Sequence, residues 1–181
     1  MPATDAQNVI LEIIRQVGGT WIGKTKLFKA FYFAHLYYDK NRPGRLTDWS
    51  IARMPEGPGI DNSKVLFAAL MDNGLLTEER IDEGPYPEYE YRLTPKGEGT
   101  ASPRDDAVQA IREAVEFCKQ KTATKLSEIT HERSRSWKEG KDGDILDIGL
   151  DLIPDDEHEM AKEELKHVEE ILANILRGVP A

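Results

Sequence analysis

The sequence predicts a mainly α-helical α+β domain that carries one β-hairpin and ends in a long helix. Three observations lead there. Apolar residues recur at three- and four-residue spacing through most of the chain, whereas residues 75–94 alternate with period two around a Gly-Pro turn. The 181 residues are 39% hydrophobic and 31% charged, enough apolar content for one packed core with an appendage.

At the N-terminus Thr4 and Gln7 form a capping-box pattern, and Val9, Ile10, Ile13, Ile14 and Val17 mark one face of a helix that stops at Gly18-Gly19. Residues 24–39, KTKLFKAFYFAHLYYD, are apolar on several faces, so this helix is expected at the centre of the core. Lys24, Lys26 and Lys29, with Arg42 and Arg45, are expected along its wet edge. Asn41-Arg42-Pro43-Gly44 reads as a turn and residues 46–54 as an extended segment. Pro55-Glu56-Gly57-Pro58-Gly59 then reads as a sharp bend fixed by Gly57-Pro58.

Asp61 or Asn62 is placed to cap the next helix, whose stripe is Val65, Leu66, Ala69 and Leu70 and whose stop is Asn73-Gly74. Residues 75–81, the turn Gly84-Pro85-Tyr86-Pro87, and Tyr89, Tyr91 and Leu93 alternating with charged residues describe a hairpin with one buried face. A helix followed by such a hairpin resembles the wing of winged-helix regulators over residues 66–99. Ser102 and Pro103 begin another helix, with Val108, Ile111, Val115 and Cys118 on one face. Leu126 and Ile129 mark a short helix ending near His131, and residues 133–143 read as polar loop. Ala161, Leu165, Val168, Leu172 and Ile175 form a heptad-like seam on a last helix ending at Gly178. The expected organisation is a helical domain over 1–155 and a C-terminal helix over 156–181, which packs on that domain or forms a homodimer seam.

Charge and composition exclude several chemistries. The net charge of −9 repels phosphate backbones, although residues 1–60 carry +3 and the rest −12. The helix before the hairpin offers only Lys64, and the hairpin sets Glu78, Glu79, Asp82, Glu83, Glu88 and Glu90 against Arg80 and Arg92, a poor surface for nucleic acid. The single Cys118 rules out an intrachain disulfide and a cysteine-built metal site, and its apolar stripe reads as core. Glu128-x-x-His131 and Glu164-x-x-His167 have the spacing of di-iron bundles, but the other helices turn Val, Ile, Leu and Phe inward, with Glu12, Glu113 and Glu116 flanking. No metal, cofactor or catalytic residue is assigned. No apolar run approaches a membrane span and the N-terminus shows no leader pattern, so a cytoplasmic protein is expected.

Two motifs remain. The first is KLFKAFYFAHLYY followed by IARMPEGPG and the helix KVLFAAL; the second is KLSEITHERSRSW. Together they resemble the Panacea (SocA-like) antitoxin domain of bacteria and phages, whose pattern is a Lys-Leu-x-Lys-Leu-x-Tyr helix, a Gly-Pro turn and a Leu-Thr-His segment before a Trp. Phe28, Ala30, Gly59 and Ser136 depart from that pattern. The resemblance implies a non-catalytic module that binds and neutralises a toxin encoded beside it. By the same resemblance Lys26, Leu27, Lys29, Gly57, Pro58, Thr130, His131 and Trp137 are the motif or partner-binding residues. A scaffold role is the competing reading, with Leu27 in the core and His131 and Trp137 closing the domain. A winged-helix DNA-binding regulator is the alternative function.

Overall fold

The structure, a computed structural model, describes residues 4–42, 44–82 and 87–177, with the side chains of 174–176 left aside. Pro43, the hairpin turn at 84–86, the side chain of Ile175 and Gly178 lie outside the described residues. The chain divides into two compact units, Met1–Asp151 and Leu152–Ala181. It is mainly α, with eight α-helices among the described residues and small antiparallel sheets.

The first unit is built around α2 (Lys24–Asn41), which buries residues on every side, from Leu27 to Tyr38. Helix α5 (Asp105–Lys119) runs along it with a face of Ala107, Ala110, Ile111, Ala114 and Cys118. Small side chains there let the helix axes approach while the aromatics of α2 fill the space between. Burial pushes the Cys118 thiol up to about 12, in keeping with a small hydrophobe and not a nucleophile. Helix α1 (Ala6–Arg15) closes the other side with Val9, Ile10, Ile13 and Ile14.

The hairpin of β4 (Leu76–Ile81) and β5 (Glu88–Leu93) follows α3 (Ser63–Asp72), as the sequence predicts. A short strand β1 (Thr20–Ile22), in a stretch to which the sequence pattern assigns no element, completes a three-stranded sheet in the order β1-β5-β4. Tyr91 and Leu93 point inward from β5, and Phe67 of α3 meets Tyr91 with ring centres 5.0 Å apart. This is the winged-helix-like portion.

Several local expectations are corrected. Asp5, not Thr4, caps α1 by accepting the Gln7 N–H, because an aspartate carboxylate one residue closer satisfies the first turn. Val65 faces solvent and Phe67 takes its place on the buried face of α3, a shift of the stripe toward the hairpin. Ser102 and Pro103 precede α5, whose first turn carries Asp105 and Asp106 where the helix dipole favours them. Glu12, expected beside the core, is only 2% exposed and is paired with Arg15. The stretch 133–143 is not all loop: α7 (Arg135–Glu139) forms because Ser134 ends α6 (Ala123–Arg133) and also caps α7, accepting the Trp137 N–H.

The sharp bend expected over Pro55-Glu56-Gly57-Pro58-Gly59 is present but confined to its first two residues, and Gly57-Pro58-Gly59 are strand. β2 (Ile51–Met54) pairs antiparallel with β3 (Gly57–Ile60), and the reversal falls on Pro55-Glu56. A short helix α4 (Pro95–Glu98), capped by Thr94, follows the hairpin. The second unit holds α8 (Asp155–Arg177). No helix among the described residues is long and apolar enough to cross a membrane.

Candidate functional site

Most of the motif residues meet around the β2–β3 ribbon, although more than a hundred positions separate Lys29 from Trp137. Lys29 is the least expected. Placed at the wet edge by the sequence, it is 1% exposed, because α2 is covered on that face by β3; its Nζ donates to the Pro58 carbonyl at 3.0 Å. Burial pulls its pKa from 10.5 down to about 7, with the nearby Glu56 carboxylate opposing. Gly57 holds φ at +101°, and a Cβ there would collide with both Thr130 Oγ1 and Lys29 Nζ. Thr130 is buried on α6 and donates from Oγ1 to the Ser127 carbonyl at 3.0 Å. Glycine at 57 is thus what lets α2, β3 and α6 close on one another.

The second half of the site is Trp137. His131, at the end of α6, stacks on its indole. Its Nε1–H donates to the Met54 carbonyl at 2.8 Å, and the Arg53 guanidinium lies 4.2 Å from the ring centre. Arg53 also donates from Nε to the Trp137 carbonyl and pairs with Asp142. Because Arg53 and Met54 face Pro58 and Gly57 across the ribbon, the Lys29 and Trp137 halves form one continuous assembly.

Not every motif residue joins it. Leu27 is fully buried in the core, and Lys26 reaches the Lys119 carbonyl at the end of α5, where a cation complements the helix dipole. Glu128 pairs with Lys125 on the surface while His131 engages Trp137, so these two members of the di-iron spacing serve different partners.

Sequence reasoning missed Asp151. Its Oδ2 accepts from Tyr32 Oη at 2.6 Å and from Ser134 and Ser136 hydroxyls at 2.9 Å each, and its Oδ1 accepts the Ser136 N–H at 2.7 Å. Four donors make this carboxylate the tie between α2 and the α6–α7 turn. Burial first, and the Asp151 charge second, push the Tyr32 hydroxyl well above its usual range. Tyr32, which the sequence reading also passed over, stands at the tyrosine of the Lys-Leu-x-Lys-Leu-x-Tyr pattern, the one signal that could have singled it out.

Among the described residues one cavity borders the assembly and another opens beside Ile51 at the start of β2. One of about 330 Å³ lies between the start of α2 and the β2–β3 reversal, lined by Lys24, Phe28, Lys29, Met54 and Glu56 among others. The other, about 670 Å³, is lined by His35, Asp39, Thr47, Trp49 and Leu146. In its wall the Phe31 carbonyl can only accept, so His35 Nδ1 carries a proton and donates to it at 2.8 Å; burial favours the neutral ring, which leaves Nε2 to accept the Thr47 hydroxyl at 2.8 Å.

No curated protein and no solved structure matches the chain. The family described as Antitoxin SocA-like, Panacea domain, matches residues 27–138, a span that runs from Leu27 in α2 to the residue after Trp137 and takes in the whole β2–β3 ribbon. More than half of the sequence lies inside it, and the chain belongs to the SocA-like Panacea antitoxin family.

Proposed function

We propose that this chain is an antitoxin that neutralises a cognate toxin by direct, non-catalytic binding in the cytoplasm, with the toxin encoded beside it in a phage- or toxin–antitoxin-type locus. The observation that carries this reading is the family match over residues 27–138. The chemistry of the assembly is in keeping with it. Lys29 Nζ and Thr130 Oγ1 each donate to a backbone carbonyl and the His131 ring stacks on Trp137, contacts that suit residues holding a surface in place. The motif residues hold a ribbon and three helices rigid, which is what a surface pre-organised for a partner requires.

A DNA-binding regulator is the weaker reading. The cations of the wing are already engaged by neighbouring carboxylates, Arg80 by Asp82 and Arg92 by Glu90, leaving little for phosphates. Co-expression with the product of the adjacent reading frame is the test. A stoichiometric complex on purification supports the antitoxin; no complex, together with salt-dependent retardation of the chain's own promoter DNA, replaces it with the regulator.

A further inference from the structure

Helix α8 carries an apolar face that nothing in its own unit covers. Met160, Leu165, Val168, Ile171 and Leu172 are between 45% and 63% exposed. Ala161, Leu165, Val168 and Leu172 keep the seam spacing over three turns, so the larger side chains fall on one stripe with Ile171 beside them. A contiguous stripe of this kind in water marks a docking surface. It also lies outside residues 27–138, the part of the chain that matches the family.

Charge selects the occupant. Along α8 eight acidic side chains stand against three basic ones, and Glu164 and Glu169 border the stripe. A second copy would set these carboxylates against each other in a chain whose net charge is already −9. A protein groove that is apolar at its floor and lined with Lys or Arg at its rim gains from both the stripe and its borders.

We infer that α8 is the element that seats in a basic, apolar groove of the toxin, with Leu165, Val168 and Leu172 as anchors. This rests on the antitoxin reading above. The anchors supply affinity, and the carboxylates steer the encounter, so association slows as salt rises.

The experiment uses the full chain and the purified product of the neighbouring reading frame. Because Leu165 and Leu172 are exposed, the double variant Leu165→Gln, Leu172→Gln keeps the fold, checked by an unchanged thermal midpoint. It is expected to weaken the complex by roughly 100-fold. The variant Glu164→Gln, Glu169→Gln is expected to slow association several-fold at low salt and little at high salt. Wild-type affinity in the anchor variant overturns the inference and leaves the antitoxin reading standing, whereas no complex with the wild-type chain removes both. A concentration-dependent dimer of the isolated chain that the anchor variant abolishes assigns the stripe to a second copy. A thermal midpoint lowered by the anchor variant in a monomer assigns it to the chain's own body. Either of these last two results also overturns the inference.

Discussion

The His131 imidazole lies nearly parallel to the Trp137 indole, with ring centres 4.0 Å apart and planes 13° from each other. Ser134 makes this possible: as the end of one helix and the cap of the next, it folds α7 back over the last turn of α6. The indole then reaches the Met54 carbonyl and ties the turn to the β2–β3 ribbon.

Trp137 is therefore expected to be a structural residue first. Trp137→Ala should lower unfolding free energy by about 3–5 kcal/mol, the usual cost of removing a large packed aromatic. Trp137→Phe should cost about 1–2 kcal/mol, since the ring remains while the Met54 carbonyl loses its donor. Denaturant unfolding checks both. A Trp137→Ala variant as stable as wild type but unable to bind the toxin would make Trp137 a contact residue instead.

Gly57 and Gly143 separate backbone strain from collision. Both have positive φ, +101° and +88°, but a Cβ at Gly143 meets nothing within 4 Å. Gly143→Ala should cost about 1–2 kcal/mol from the left-handed backbone alone. Gly57→Ala should cost about 3 kcal/mol or more, because Thr130 and Lys29 must also move. Equal losses in thermal unfolding would show that α2 and α6 yield easily at this point.

Lys29 makes stability depend on pH in a stated direction. Its folded pKa of about 7 lies below the ordinary 10.5, so between these values the unfolded chain binds a proton that the folded chain does not. Stability from this group therefore rises with pH across that window, by at most about 1.4 kcal/mol per unit, and the cost of the buried charge is fully present below pH 7. Lys29→Met should remove the slope and gain most over wild type at low pH. Parallel unfolding curves for the two proteins from pH 6 to pH 9 would contradict it.

His35 acts on the acid side. Burial lowers its pKa from 6.5 to about 4, so the unfolded chain protonates first as pH falls. The stability of the neutral, doubly bonded imidazole is complete above pH 6.5 and is lost as pH drops toward 4. His35→Gln, which retains a donor and an acceptor, should flatten that part of the profile in thermal melts. A wild-type profile flat between pH 6.5 and 4.5 would count against the buried neutral state.

Helices α1 and α5 and the β4–β5 hairpin were legible because each buries one face at a fixed period, and α2 because its run is apolar on several faces. The β2–β3 ribbon was not, since Gly57-Pro58-Gly59 has the composition of a turn and becomes a strand only through pairing with Ile51–Met54. Helix α7 is polar and is held by Ser134 and Asp151, which leaves no apolar stripe to read. The burial of Lys29 was hidden for a related reason: its partner is a backbone carbonyl, which carries no side-chain signature. Asp151 and Tyr32 are 119 positions apart, beyond any local pattern. The motif residues themselves were found by family likeness, and their convergence came only with the fold.

The most direct measurement is growth of cells that express the neighbouring reading frame with and without this chain. Neutralisation by binding predicts that growth arrest appears when that product is made alone and is relieved by the wild-type chain at matching abundance, with both proteins recovered in one complex. Arrest that persists in the presence of well-folded, abundant chain would contradict the account.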